Sequence, residues 1–190
     1  MKVGVLALQG AVKEHTACLE KAMEKLGLNG EILEARNREE IKELDGLVLP
    51  GGESTALSLL IKKNVLSEDI SGVGAIMGTC AGAVLLSKKI SGGIEGQETL
   101  KLLDIELLRN GYGRQLDSFC TTLETAIGDI EGVFIRAPVI KSVSGNVEVI
   151  AEHGGNPVGV QQGRHIATTF HPELSGSTLF HEHFLKLIDK

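Results

Sequence analysis

A thiol, an imidazole and a carboxylate fall in two short segments of this chain whose surroundings would make them reactive. Cys80 lies in Gly78-Thr-Cys-Ala-Gly82, after the apolar run Val73-Gly-Ala-Ile-Met77 and before Ala83-Val-Leu-Leu86. The pattern reads as a strand, a glycine-framed turn and a helix with the thiol at the tip, the cysteine form of a nucleophile elbow. Gly78 and Gly82 remove side chains that would clash where the strand reverses into the helix. A thiol at a helix N-terminus is favoured as thiolate, its nucleophilic form, by the helix dipole. A lone cysteine is more often a packing residue than a nucleophile. Its companions decide the matter.

The strongest companion is Ala167-Thr-Thr-Phe-His171-Pro-Glu173. A short β-branched run ends in a histidine that Pro172 keeps out of helical geometry. In an extended segment residues i and i+2 share a side, which predicts that Glu173 reaches back to the His171 ring. Such a carboxylate would fix one tautomer and leave the other nitrogen free as a base. A third segment, Gly46-Leu-Val-Leu-Pro50-Gly51-Gly52-Glu53-Ser54-Thr55, again runs from an apolar strand through a glycine turn into a helix. Backbone N–H groups of Gly51, Gly52 and Ala81 would form an oxyanion hole. Ser54 and Thr55 serve equally well as plain helix caps.

The elements that must carry these groups alternate in the first half of the chain. Strands are expected over 3–8, 31–35, 46–49 and 73–77, with helices over 11–26, 39–44 and 54–63 between them. Such alternation predicts a parallel sheet with helices on both faces, and ligands bind beyond the strand C-termini of such sheets. After residue 100 short strands follow one another, over 102–108, 118–123, 133–136, 147–152, 157–161 and 165–170. A helix over 178–188 closes the chain. Closely spaced strands read as hairpins and predict an antiparallel extension of the sheet. The fold class is therefore α/β, three-layered, with a mostly parallel central sheet. One domain over 1–190 is the expectation for this length.

Composition narrows the function classes. A net charge of −6 without a basic tract argues against nucleic acid or an anionic membrane as partner. Cys18, Cys80 and Cys120 are odd in number and widely spaced, which suggests reduced thiols rather than a disulfide frame. No zinc-type spacing appears, and neither metal nor cofactor is expected. The apolar run at 3–8 is too short for a signal peptide or membrane span. The expected location is the cytoplasm.

With these segments together the chain resembles the class I glutamine amidotransferases, and among them the glutaminase subunits of pyridoxal 5′-phosphate synthase. The resemblance runs end to end: Gly4-Val-Leu-Ala-Leu-Gln9-Gly10 with Glu14-His15, Leu49-Pro-Gly-Gly-Glu-Ser-Thr55, the Cys80 elbow, Arg109-Asn110 with Tyr112-Gly-Arg-Gln115 and Asp117-Ser-Phe119, Val133-Phe-Ile-Arg-Ala-Pro138, and Phe170-His-Pro-Glu-Leu174. It implies a flavodoxin-like fold and hydrolysis of L-glutamine by a Cys80, His171, Glu173 triad. It implies glutamine binding by Gly52, Glu53, Ser54, Arg109, Ile135 and Arg136, where two guanidinium forks suit a carboxylate. It also implies a hetero-oligomeric complex with a barrel-shaped synthase subunit that consumes the ammonia.

The glutaminase of another complex, such as imidazole-glycerol-phosphate synthase, is the main rival, and the Gln9-Gly10 and Phe134-Ile-Arg-Ala-Pro138 motifs speak against it. A glutamine-binding regulatory subunit would not need a thiol at an elbow. A stand-alone cysteine hydrolase would not need the His-Pro-Glu arrangement. Other residues carry plainer expectations. His15 reads as an exposed residue of the first helix on a partner-facing region, His181 and His183 as divergent helix positions, Cys18 and Cys120 as packing residues. Cys120, Gln161-Gln162-Gly163 and Gly176-Ser-Thr178 depart from the family pattern away from the triad.

Overall fold

Along the first strands alternate residues enter two different cores, so both faces of the sheet they form must be covered. The computed structural model describes residues 1–94, 96–109, 111 and 118–189. Asn110, the Tyr112-to-Gln115 motif and Asp117 lie outside the described residues. The first half contains β1 (Lys2–Leu6), α1 (Val12–Leu26), β2 (Glu31–Ala35), α2 (Arg38–Lys42), β3 (Gly46–Leu49), α3 (Ser54–Lys63), α4 (Ser67–Ser71), β4 (Ala75–Thr79) and α5 (Ala81–Leu86). The second contains β5 (Ser87–Ser91), β6 (Leu103–Leu108), β7 (Ser118–Leu123), β8 (Ile130–Ile135), β9 (Val139–Val143), β10 (Glu148–His153), β11 (Asn156–Gln162), β12 (His165–Thr168) and α6 (Leu179–Ile188).

The central sheet has seven strands in the order β10-β11-β12-β4-β3-β1-β2. The run from β12 to β2 is parallel, and β10 and β11 add the antiparallel extension at the β12 edge. Val3, Val5, Val48, Ala75 and Met77 face one core with Leu19 of α1 and Phe180 and Phe184 of α6. Leu6, Leu47, Leu49 and Ile76 face the other, with Leu57 and Ile61 of α3 and Leu85 and Leu86 of α5. The alternation is the period of two of a strand, and it produces three layers.

Local chemistry accounts for several boundaries. In α1 Glu14 sits in the first turn and Lys25 in the last, as the helix dipole favours, and Gly27 ends the helix in the left-handed conformation. Asn37 caps α2 by accepting the Glu40 N–H at 3.0 Å.

Three expectations change. The strand expected over 73–77 is β4 at Ala75–Thr79, so the elbow glycine Gly78 is itself a strand residue. The helix α4 and the strands β5 and β9 were not expected. The strands expected near 102–108, 118–123 and 133–136 exist but lie outside the central sheet: β5-β6-β9 form one small sheet and β7-β8 a hairpin. Strand character is set by local sequence, whereas the partner of each strand is set by packing.

Register brings the chemistry together. Gly78 of β4 pairs with Leu49 of β3 on one side and Ala167 of β12 on the other. The C-terminal ends of these three central strands therefore lie side by side, and Gly51, Cys80 and His171 follow them directly.

Candidate active site

Cys80 is the N-cap residue of α5, with φ 47° and ψ −100°. A positive φ at a non-glycine residue is a strained backbone, the conformation of a nucleophile elbow. The neighbours hold it there. The Cys80 N–H donates to the Thr168 carbonyl of β12 at 2.8 Å, and the Val84 N–H donates to the Cys80 carbonyl at 3.2 Å. A Cβ on Gly82 would collide with the Leu49 carbonyl, and one on Gly78 would come within 2.6 Å of the Gly82 carbonyl carbon. Both glycines are needed for close approach, as the sequence suggests. The thiol is mostly buried, 4.0 Å from the Ile135 carbonyl oxygen.

His171 has φ −103° and ψ 86°, outside helical geometry as Pro172 requires. The residues after it are not extended, however. Pro172–Leu174 form a 3-10 turn, and it is this turn that brings Glu173 back to the imidazole. The turn supplies the contact expected of an extended segment: His171 Nδ1 lies 2.7 Å from Glu173 Oε1 with both groups buried. The other ring nitrogen is left to face Cys80. Burial opposes charge on His171, but hydrogen bonds to Cys80 and Glu173 and their negative charges outweigh it and push its pKa up to about 10. These contacts favour the cationic form of the ring.

The glycine turn after β3 closes on the same ring. Gly51 packs so tightly against His171 that an added Cβ would press into the ring edge at Cε1 and sit 3.0 Å from Nδ1. The Gly51 carbonyl accepts from the Ala11 N–H at 3.4 Å. In a planar trans peptide the Gly52 N–H points the opposite way, so the turn after β1 sets the direction of this candidate oxyanion donor. Gln9 adds to the link, since its side-chain oxygen accepts from the Glu53 N–H at 3.3 Å.

Neither Ser54 nor Thr55 caps α3. Glu53 does so, accepting the Thr55 N–H at 2.9 Å and the Ala56 N–H at 2.6 Å. Partial burial opposes its ionisation, but these bonds and the Arg109 cation outweigh that and lower its pKa. Arg109 is committed to the same structure. It donates to Thr55 Oγ1 at 2.9 Å, Gln97 Oε1 at 2.8 Å and Glu53 Oε1 at 3.2 Å. Its fork is therefore shared with protein acceptors instead of standing open for a bidentate grip on a carboxylate. Arg136 is exposed, with φ 43°.

Gly52, Glu53, Ser54, Cys80, Ala81, Arg109, Ile135, Arg136 and His171 line one cavity of about 300 Å³. Glu173 stands behind His171, and Gly51 forms the wall beside the ring. All the expected site residues thus converge. The volume is at the small end of ligand sites and fits an amino acid better than a nucleotide. Among the described residues no group of three or more His, Cys, Asp or Glu is placed to hold a metal, and no helix is long and apolar enough to cross a membrane.

The family model for the SNO glutamine amidotransferases matches residues 5–190. The chain belongs to the SNO glutamine amidotransferase family. It is 46% identical to a pyridoxal 5′-phosphate synthase subunit PdxT of Thermococcus onnurineus over 98% of each chain. It is 41% identical to the PdxT of Pyrococcus furiosus over 99% of each, and 42% identical to that of Sulfolobus acidocaldarius over the full length of both. A crystal structure described as a glutamine amidotransferase superposes with a TM-score of 0.87 at 40% identity, covering 99% of each chain. A glutamine amidotransferase of Thermotoga maritima shares the fold at a TM-score of 0.61 and 14% identity, over all of this chain and 84% of that one.

Several residues behave differently from their sequence reading. His15 is fully buried, not exposed, and lies 3.4 Å from Glu173 Oε2. His181 and His183 diverge as expected, His181 being buried against His15 and His183 contacting Gln161. Cys18 is half-buried with its thiol pKa raised by burial, and Cys120 is exposed and does not pack in a core. Gln97 was not singled out as a site support. A signal for His15 was present in the helix period: with Leu19, Ala22 and Met23 it forms the buried stripe of α1.

Proposed function

We propose that this protein hydrolyses the side-chain amide of L-glutamine and delivers the ammonia to a synthase partner that makes pyridoxal 5′-phosphate. The observation that carries the reading is the convergence of Cys80, His171 and Glu173 at one cavity above the central strands. Cys80 thiolate attacks the amide carbon, and the charge moves to the amide oxygen. Backbone N–H groups of Gly52 and Ala81 beside Gly51 receive it, each such donor being worth about 3–4 kcal/mol in comparable sites. His171 protonates the departing nitrogen, ammonia leaves, and a glutamyl thioester remains on Cys80. His171 then takes a proton from water, whose oxygen attacks the thioester, and glutamate departs as the thiolate is restored.

Glu173 orients the imidazole and stabilises its cation. Glu53 and Arg136 present opposite charges to the α-ammonium and α-carboxylate of the substrate. Arg109 supports this end by holding Glu53, and Ser54 and Ile135 complete the wall. That its relatives are pyridoxal 5′-phosphate synthase subunits favours such a synthase partner over any other acceptor of ammonia. The test is Cys80→Ala, assayed for glutamate release in complex with that partner while circular dichroism follows the fold. Loss of activity with the fold retained is expected. A folded Cys80→Ala variant that still releases glutamate would overturn the assignment.

A further inference from the structure

Behind the triad a second row of side chains continues into the core. His15 of α1 and His181 of α6 are both fully buried, and His15 Nδ1 lies 2.9 Å from His181 Nε2. The other nitrogen of His15 faces two oxygens, Thr79 Oγ1 at 3.1 Å and Glu173 Oε2 at 3.4 Å. Among the described residues Glu173 Oε2 and His181 Nδ1 have no hydrogen-bond partner although both are buried. A buried carboxylate oxygen without a donor bears its full desolvation penalty. One donor site stands within reach of it.

The tautomers can be worked out. Burial holds the pKa of both imidazoles down, so each is neutral, with one N–H and one lone pair. One proton lies between His15 Nδ1 and His181 Nε2. If it belongs to His15, then His15 Nε2 turns a lone pair toward the Glu173 carboxylate, and the His181 proton sits on Nδ1 with no acceptor. If it belongs to His181, then His15 carries its proton on Nε2, directed at Thr79 with Glu173 Oε2 beside it at 3.4 Å, and His181 Nδ1 is a bare lone pair. The first arrangement combines a repulsion with a buried orphan N–H. The second avoids both.

We propose that His15, as its Nε2–H tautomer backed by His181, is a positioning residue that binds Glu173 Oε2 and so fixes the carboxylate that orients His171. Oε1 is held by His171, and Oε2 faces the His15 N–H at 3.4 Å, close enough for its charge to be stabilised there and for the carboxylate to be kept turned toward the ring. The titratable groups around that carboxylate are His15 from α1, His171 from its own segment and Cys18, also from α1, whose thiol faces the Glu173 carbonyl at 3.6 Å. This inference rests on the triad reading.

Three variants and one spectrum test it. His15→Leu removes the donor, and His15→Gln keeps an N–H near the place of Nε2. In complex with the synthase partner, His15→Leu should lower kcat for glutamate release roughly 10- to 100-fold, the cost of an ill-positioned catalytic group. KM should hardly move, since His15 does not line the cavity. His15→Gln should recover most of the loss. Alkylation of Cys80 in the isolated chain should slow at neutral pH in His15→Leu alone, because the His171 cation beside the thiol loses support. The wild-type protein supplies a readout independent of folding: nitrogen-15 shifts should show His15 protonated on Nε2 and His181 on Nε2. Protonation of His15 on Nδ1 would overturn the proposal, as would unchanged kcat in a folded His15→Leu. Cys80→Ala separates the two ideas, because a dead Cys80→Ala beside an unaffected His15→Leu leaves the triad standing and removes only the role of His15.

Discussion

Gly51→Ala isolates the contact between the glycine turn and the His171 ring. Gly51 does not have a positive φ, so alanine suits its backbone and only the added methyl matters. That methyl would press into His171 Cε1 and lie 3.0 Å from Nδ1, whereas unbonded heavy atoms settle about 3.5–4.0 Å apart. The ring or the turn must therefore give by roughly 1 Å. The ring has little room, because Nδ1 is held 2.7 Å from Glu173 Oε1 and its other nitrogen must reach Cys80. A displacement of that size costs about 10²-fold in turnover, and overpacking costs about 1–3 kcal/mol of stability. The assay is glutamate release by the complex, with urea unfolding in parallel. Alkylation of Cys80 by iodoacetamide separates a moved ring, which slows it, from a damaged oxyanion hole, which leaves it unchanged. Wild-type turnover and alkylation in a folded Gly51→Ala would refute the close packing of the turn on His171.

Other outcomes follow from the same geometry. Glu173→Gln should cost less activity than His171→Ala, on the order of 10⁴-fold against 10⁶-fold, because one orients the base and the other carries the proton; equal losses measured in the complex would give Glu173 a larger role. Stability should fall on acidification: the pKa of His181 is held down to about 4 by burial, below an unfolded value near 6.5, so its contribution is present above about pH 6.5 and is lost toward pH 4. The amount is on the order of 3 kcal/mol, and urea midpoints at successive pH values should show an acid slope that His181→Phe flattens. The pKa of His171 is raised to about 10, so its contribution is present below about pH 6.5 and disappears as the pH climbs toward 10; His171→Ala should remove that alkaline arm. Finally, the isolated chain should hydrolyse glutamine more slowly than the complex at equal glutamine, since the glycine turn gives the oxyanion donor freedom to adjust on docking. Equal rates would remove that gating step and leave the triad untouched.

The sequence by itself determined the candidate reacting groups and the layers that carry them. Alternating apolar residues specify which strand faces meet which core, and the glycine frame around Cys80 specifies a turn that no larger residues permit. The pairing of His171 with Glu173 was legible from Pro172 and a spacing of two, although a 3-10 turn and not an extended segment delivers it. The Glu53 cap was less legible, because serine and threonine beside it have the same local chemistry and only the folded turn selects among them. The commitment of Arg109 to Thr55, Gln97 and Glu53 joins residues far apart in the chain, and no local pattern records it. His15 shows the division most clearly. Its place on the buried stripe of α1 was readable as a period, but its neighbours His181, Thr79 and Glu173 come from three other elements. Periodicity states which side of an element is buried. What that side touches is decided by the order of the strands and the packing of α1 and α6 across them, and those are properties of the tertiary structure alone.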